Sequence, residues 1–114
     1  MAADDIAKAT DTVYDQHAAF YIDFVDRNLA SGDLDLTLDT MRACIGDRIA
    51  DARVCDVCCG EGYLGRYLLA HGVRAVVGVD LSAMLIDAAK RWSTDGRLSY
   101  HIDDAHVVSD APKP

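Results

Sequence analysis

The 114-residue sequence has no hydrophobic run long enough to cross a membrane, and it has too little positive charge to favour nucleic acid. A membrane-spanning helix needs about 20 consecutive apolar residues, and no apolar segment of a secretion signal follows Met1. Lysine and arginine number 11 against 19 acidic residues, which gives a formal net charge of −8. This charge repels the phosphates of DNA and RNA but tolerates a cationic or zwitterionic ligand. We therefore expect a cytoplasmic protein that binds neither membrane nor nucleic acid.

The sequence also lacks the set of ligands that a zinc site requires. Of the four cysteines, Cys44, Cys55, Cys58 and Cys59, only Cys55 and Cys58 have the spacing of a metal or redox pair. Zinc needs about four ligands, and the sequence has no second cysteine pair and no well-spaced histidine pair. A reactive pair would start a helix, whereas Asp56 between these cysteines lies in a predicted strand. We predict reduced thiols with a structural role and no metal.

Apolar periodicity predicts two helices and then alternating strands and helices. The predicted helices cover 12–30, 33–45, 62–70 and 83–92, and the predicted strands cover 53–58, 73–80 and 97–102. The first two strands are almost wholly apolar, which is typical of inner strands covered on both faces. The third alternates, as strands near a sheet edge do. Asp33 or Asp35 is the expected cap of the second helix, and Ser82 is the expected cap of the last.

This order predicts an α/β fold in which N-terminal helices precede a partial doubly wound parallel sheet. Right-handed crossovers place the strands in the order 3-2-1. The first strand is then an edge strand, although its sequence is typical of a middle strand. We infer that the chain is the N-terminal part of a larger sheet, truncated after the third strand.

Acidic residues stand where consecutive strands end, at Asp56, Asp80, Asp103 and Asp104. Parallel sheets bind ligands at the carboxyl ends of their strands, beside a switch in strand order. Asp80 lies 20 residues after Gly60, where an acid accepts hydrogen bonds from the two hydroxyls of a ribose. Asp104, or Asp103 if the register at the strand end differs by one residue, is placed to accept from the amino group of an adenine. The backbone N–H of Ala105 is placed to meet a ring nitrogen.

The segment from Gly60 to Gly65 matches the dinucleotide pattern G-x-G-x-x-G. That pattern holds a pyrophosphate at a helix N-terminus. Asp56 and Glu61 flank the turn and would repel phosphates, whereas a ligand with an ammonium and a sulfonium would be attracted. An NAD-binding oxidoreductase is therefore the less favoured alternative.

Three linked segments resemble the class I S-adenosylmethionine-dependent methyltransferases of the Rossmann-like, small-molecule type. They read V-C-D-V-C-C-G-E-G-Y-L-G from Val54, V-V-G-V-D-L-S-A-M-L-I-D-A-A-K from Val76 and Y-H-I-D-D-A from Tyr100. The resemblance covers about residues 48–108. It implies methyl transfer from S-adenosylmethionine to a small molecule, with S-adenosylhomocysteine as the product. It also implies an N-terminal helical lid or cap over 1–47 and a partial cofactor-binding domain over 48–114.

The resemblance further implies which residues surround the methionine part of the cofactor. The turn from Cys58 to Gly62, with Cys59 and Gly60 inside it, would cradle this part, and Asp56 would lie near its amino group. Tyr21 belongs to a segment similar to the family's lid and would approach the carboxylate end. The family usually has glycine where Cys58 stands, because the backbone approaches the ligand closely there.

The same resemblance implies the contacts of the adenosine part. Asp80 would bind the ribose hydroxyls, Leu81 and Leu85 would line the adenine, and Asp104 and Ala105 would read its edge. The residues that position a methyl acceptor follow a fourth strand in the family, so the catalytic residues stay unassigned.

Two further interpretations compete with this one. The aromatic residues Phe20, Tyr21 and Phe24 lie on the apolar face of their helix, which favours a place in the core over a lid. The whole chain is alternatively a non-catalytic fragment or interaction module that self-associates or pairs through the open edge of its first strand, because an unpaired edge is a template for association.

Overall fold

The structure is a computed structural model that describes residues 13–103. Three helices and a short 3-10 helix precede a β-α-β-α-β unit. The elements are α1 (Val13–Gln16), α2 (Ala18–Ser31), α3 (Asp35–Ile45), the 3-10 helix (Gly46–Ile49), β1 (Arg53–Val57), α4 (Tyr63–Ala70), β2 (Ala75–Asp80), α5 (Ala83–Trp92) and β3 (Leu98–Ile102).

The sheet has the predicted topology. Its three strands are parallel in the order β1-β2-β3, which confirms the predicted order 3-2-1 and the Rossmann-like fold class. Asp56 lies opposite Gly78, and Asp80 lies opposite Ile102. The acids at the ends of β1 and β2 are therefore brought to one edge of the sheet, where α4 and α5 begin.

The prediction that β1 is covered on both faces is wrong for the described residues. Alternate residues of β1 are exposed, and Val57 keeps 46% of its surface accessible. The reason is positional, because within 13–103 only β2 pairs with this strand. The residues of β2 from Val76 to Val79 are buried, as expected of an inner strand.

The N-terminal helices differ from the prediction in two details. His17 has non-helical dihedral angles (φ −120°, ψ 20°), so the predicted first helix is divided into α1 and α2. Neither Asp33 nor Asp35 caps α3, because Leu34 occupies the cap position without a side-chain hydrogen bond and Asp35 lies inside the first turn. The predicted end of α2 is confirmed at Gly32, whose φ of 81° is a left-handed conformation that glycine adopts without strain.

The prediction that the aromatic side chains of α2 lie in the core is wrong for both phenylalanines. Phe20 is 71% exposed, and its ring stacks on that of the exposed Phe24 with 6.4 Å between ring centroids. The buried residues of α2 are instead Ala18 and Val25. The fully buried side chains of this helix are therefore smaller than its phenylalanines.

The main core lies between the sheet and helices α4 and α5. Tyr100 reaches across this core, and a β-carbon added to Gly78 would lie 2.4 Å from its ring. Added β-carbons at Gly62 and Gly65 would each lie 2.8 Å from its hydroxyl oxygen. The hydroxyl of Tyr100 donates a hydrogen bond to the backbone oxygen of Gly62 over 3.2 Å. Three glycines thus make room for one tyrosine that ties β3 to the glycine turn.

The described helices include none with the length and apolar character that a membrane span requires.

Candidate functional site

The turn between β1 and α4 has an unusual backbone conformation. Cys58, Gly60 and Gly62 all have positive φ angles, of 60°, 59° and 88° respectively. Glycine adopts this region readily, whereas a residue with a β-carbon does so at a cost. Cys58 therefore stands at a strained position, and its side chain is exposed.

Hydrogen bonds fix this turn to the end of β2. The backbone N–H of Cys59 donates to the oxygen of Val79 over 3.0 Å, and that of Gly60 donates to Asp80 Oδ2 over 2.9 Å. Within the turn, the N–H of Gly62 donates to the oxygen of Cys59 over 3.1 Å. These bonds hold the turn beside the carboxyl end of β2.

Asp80 links the turn to the start of α5. Its Oδ1 accepts from the backbone N–H of Ser82 over 2.9 Å, while its Oδ2 accepts from Gly60. A carboxylate offers about four acceptor positions, so each oxygen of this half-buried group retains capacity for a further donor. The geometry thus permits two roles for Asp80, as a residue that organises the helix start and as an acceptor for a ligand.

Asp56 is the acid that the fold leaves unsatisfied. Its Oδ2 is buried and has no hydrogen-bond partner among the described residues. Burial, followed by the neighbouring charge of Asp80, raises the pKa of Asp56 to about 6. The glycine-turn amides described above donate elsewhere. This oxygen is therefore a hydrogen-bond acceptor that is shielded from water. Its burial costs free energy unless a donor or a cation binds to it.

Glu61 does not contribute the free negative charge that was predicted for it. Its side chain is fully buried and forms a two-pronged ion pair with Arg66, with distances of 2.8 and 2.9 Å. Arg66 also donates to the backbone oxygen of Glu61 and to Ser93 Oγ, and its guanidinium lies 5.9 Å from the ring centroid of Trp92. Burial raises the pKa of Glu61, and the charge of Arg66 opposes that rise. The argument that Glu61 repels phosphates is therefore wrong, and Asp56 and Asp80 are left as the acids of the site.

The cysteines of the turn differ in their environments. Cys59 is buried, and burial raises the pKa of its thiol, with the charges of Asp56 and Asp80 adding to that effect. A raised pKa disfavours the thiolate that metal binding and redox exchange require. The position of Cys59 therefore supports the structural role predicted for it.

The N-terminal helices reach the same edge of the sheet. A β-carbon on Gly60 would lie 3.4 Å from the hydroxyl oxygen of Tyr21, so this tyrosine stands directly over the glycine turn. Asp15 Oδ1 accepts from Ser82 Oγ over 2.5 Å and from the backbone N–H of Met84 over 3.3 Å. Sequence reasoning singled out Tyr21 but missed Asp15, because no short-range pattern connects residues 67 positions apart.

The fold brings most of the predicted site residues to one place. The residues assembled around the turn are Tyr21, Asp56, Cys58, Cys59, Gly60, Gly62 and Asp80. Leu81 is half-buried next to them, and Leu85 is fully buried in α5. Ser82 caps α5 as predicted, by accepting from the N–H of Leu85 over 3.2 Å. Asp104 and Ala105 lie outside the described residues.

Comparison with protein families gives one match, to a family described as methyltransferase domain, over residues 54–113. This range contains the glycine turn and all three strands except the first residue of β1. No curated protein matches the chain.

Several solved structures are similar to the chain. An S-adenosylmethionine-dependent methyltransferase from Mesorhizobium loti is 28% identical, with a TM-score of 0.51 over 60% of this chain and 29% of its own. A TehB-like methyltransferase from Corynebacterium glutamicum is 27% identical, with a TM-score of 0.58 over 81% of this chain and 47% of its own. A DhpI–SAM–HEP complex, 21% identical with a TM-score of 0.62 over 91% of this chain and 45% of its own, shares the fold. The chain thus spans less than half the length of these structures.

Proposed function

The chain belongs to the methyltransferase domain family, and we propose that it binds S-adenosylmethionine at the glycine turn. It serves as the cofactor-binding part of an enzyme that methylates a small molecule. The observation that carries this proposal is the buried, unpartnered Oδ2 of Asp56 beside the turn. The structures of similar fold include one named as a complex with SAM.

Asp56 fits the amino group of the cofactor. A protonated amine supplies both the positive charge and the N–H donors that its buried oxygen lacks. An ammonium at this point would also relieve the repulsion between Asp56 and Asp80 that helps to raise the pKa of Asp56. A pyrophosphate would add negative charge beside two carboxylates, so an NAD-type ligand fits this turn poorly.

Asp80 and the turn fit the remaining parts of the cofactor. The two carboxylate oxygens of Asp80 are held by the N–H groups of Gly60 and Ser82, which fixes their direction without exhausting their acceptor capacity. The hydroxyls of a ribose are suitable donors to such a pair. Gly60 and Gly62 adopt the positive φ angles that shape this turn, which residues with a β-carbon adopt only at a cost. The half-buried Leu81 would line the adenine, whereas Leu85 is 2% exposed in α5 and offers the ring almost no surface.

When bound, S-adenosylmethionine supplies a methyl group on a positively charged sulfur. The residues of this chain would hold and orient that group, since displacement of a methyl group depends mainly on position and the exclusion of water. The acidic surface, with a net charge of −8, favours a small acceptor over a polyanion.

Isothermal titration with S-adenosylmethionine and S-adenosylhomocysteine tests the proposal. We expect binding that tightens about tenfold between pH 5 and pH 7, because ionised Asp56 is required and its pKa is about 6. D80N should weaken binding at least tenfold, since it removes the charge and one acceptor that the ribose would use. D33N is the matched control, because this exposed acid lies in the turn between α2 and α3.

Absence of heat at millimolar ligand, from a chain whose circular dichroism shows the expected helices and strands, would reject cofactor binding. Equal affinities for D80N and D33N would reject the ribose assignment alone.

A second candidate function is an interaction module that pairs through β1. The observation in its favour is the accessible apolar surface of Val57 on this edge strand. Its test is the state of association of the chain, treated at the end of the Discussion.

A further inference from the structure

Asp15 makes an interaction across the fold that no feature of the cofactor site requires. Its Oδ1 accepts a hydrogen bond from the hydroxyl of Ser82, and Ser82 is fully buried. The same oxygen lies 3.3 Å from the backbone nitrogen of Met84, in the first turn of α5. A carboxylate at a helix N-terminus is favoured by the helix dipole and by the unpaired N–H groups there. Asp15 therefore supplies α5 with part of its cap from another element.

This interaction is continuous with the cofactor site. Ser82 donates its backbone N–H to Asp80, and Asp80 accepts in turn from the N–H of Gly60. Tyr21, six residues after Asp15, stands over Gly60. A series of hydrogen bonds therefore connects Asp15, through Ser82 and Asp80, to Gly60. Tyr21, which covers Gly60, belongs to the same N-terminal helices as Asp15.

Few of the described side chains of α2 are fully buried. The buried residues of α2 are Ala18 and Val25, while Phe20 and Phe24 project into solvent. Small side chains bury little apolar area, and hydrophobic stabilisation scales with that area. A charge-assisted hydrogen bond at Asp15 therefore adds a directional interaction to the contacts that hold α1 and α2 in place.

We propose that Asp15 is a positioning residue, which docks α1 and α2 on α5 so that Tyr21 covers the glycine turn and slows the release of the cofactor. This inference rests on the proposed function, since it assigns a role in retaining the same ligand. Asp15 acts through Tyr21 and through the helix start, and it need not touch the cofactor.

The affinity of the 114-residue chain for S-adenosylhomocysteine tests the role of Asp15. We expect D15A to bind about tenfold more weakly, which corresponds to about 1.4 kcal/mol, with most of the change in the dissociation rate measured by stopped flow. D15N should retain much of the wild-type affinity, because its amide oxygen still accepts from Ser82 and Met84. D33A is the matched control for charge and should bind as the wild type does.

A double-mutant cycle separates positioning from general destabilisation. If Asp15 acts by placing Tyr21, D15A should change the affinity by less than about twofold in a Y21A background, because coupled residues are non-additive. A full tenfold effect of D15A in that background would overturn the proposal. So would a D15A variant that binds as tightly as the wild type, or more tightly, since the docked helices would then not retain the ligand.

Trp92 provides a readout that needs no ligand. It is the single tryptophan of the chain, and together with Ala18 and Ile22 it lines a groove of about 560 Å³ between α2 and α5. Undocking of α2 in D15A should therefore increase the quenching of Trp92 fluorescence by acrylamide, with D33A unchanged. Unchanged quenching in D15A would contradict the docking role.

The two proposals fail in different ways. A wild-type chain that binds no cofactor removes the proposed function, whereas the quenching of Trp92 still decides whether Asp15 docks the helices. A wild-type chain that binds, with a D15A variant of equal affinity, removes only the role of Asp15.

Discussion

Asp56 is the residue at which binding and stability oppose each other. Its pKa is raised from 3.8 to about 6, so the folded state holds a proton that the unfolded state has already released between these pH values. The stability of the wild type therefore falls as the pH rises from about 4 to about 6, and the whole cost of the ionised carboxylate is present above that range. Buried groups that weaken a fold in this way are typical of binding sites.

Asp56→Asn should remove this cost. We expect D56N to be more stable than the wild type by about 2 kcal/mol at pH 8. A shift of about two pKa units corresponds to nearly 3 kcal/mol, and the expected gain is smaller because the carboxyl group is only partly buried. The gain should be about half as large at pH 5, because about half of the interval between the two pKa values lies below that pH. Urea denaturation at both pH values measures it, and the same variant should bind S-adenosylmethionine at least tenfold more weakly. If D56N is less stable than the wild type at pH 8, a hydrogen-bond donor outside residues 13–103 must stabilise the ionised carboxylate of Asp56.

The similar family usually has glycine where this chain has Cys58. The φ of 60° at Cys58 explains why the family prefers glycine at this position. Cys58→Gly relieves a left-handed conformation, worth about 1 kcal/mol, but also gives the unfolded chain more freedom, which costs a similar amount. We therefore expect little change in stability and an affinity for S-adenosylhomocysteine about fivefold higher, because the backbone can approach the ligand. C58A is the control: it retains the β-carbon and should bind as the wild type does. Equal gains for both variants would attribute the effect to the sulfur.

At the scale of single residues, sequence reasoning predicted the acids that lie beside the glycine turn better than the partners of those acids. Asp56 was recognisable because an acid within an apolar strand has few structural explanations, and Asp80 because it follows Gly60 by 20 residues. The neutralisation of Glu61 was not recognisable, because the turn conformation decides that its side chain points inward to meet Arg66. Asp15 was hidden for a related reason, since its partners come from a distant segment.

Between elements, Tyr100 is the contact that joins the third strand to the glycine turn. Its ring occupies the space above Gly78 that a side chain would fill, and Cys59 Sγ lies 2.9 Å from the position of an added β-carbon there. Packing of this density tolerates extra atoms poorly. Gly62 and Gly65 of the glycine pattern thus serve helix–sheet packing, since an added β-carbon at either would also overlap Tyr100.

Gly78→Ala should destabilise the fold by about 3 kcal/mol, because the new methyl group overlaps the ring of Tyr100 and neither strand can move freely. Gly96→Ala is the matched control, since no atom lies within 4 Å of its added β-carbon. Thermal unfolding of the two variants measures the difference. Equal melting temperatures would mean that β3 does not pack on the turn as described.

Periodicity predicted the elements well but not the surfaces through which they pack. All the strands, and the helices α4 and α5, follow from apolar runs and spacing, because such patterns arise from local geometry. The aromatic face of α2 was misassigned because periodicity identifies an apolar side without saying whether anything covers it. In this structure the small residue Ala18 is buried and Phe20 is exposed.

For the molecule as a whole, the exposed edge strand β1 favours self-association, whereas the net charge opposes it. Val57 and Cys55 are exposed on this edge strand, and an accessible apolar edge favours pairing with another chain. Copies that each carry a charge of −8 repel one another, and salt screens that repulsion. We therefore expect the 114-residue chain to self-associate more strongly at 300 mM NaCl than at 20 mM, where the screening length is about 20 Å.

Val57→Lys tests whether β1 mediates this association. The substitution places a lysine on the edge strand, which natural sheets use to prevent pairing, but it also reduces the net charge from −8 to −7. Charge alone would make this variant associate more, so a lower mass in sedimentation at 300 mM NaCl would assign the effect to the strand. Leu36→Lys makes the same change in charge on α3, at a side chain that is 79% exposed, and should associate at least as strongly as the wild type. If V57K and L36K sediment alike, the association does not use β1, and the interaction-module hypothesis loses the observation on which it depends.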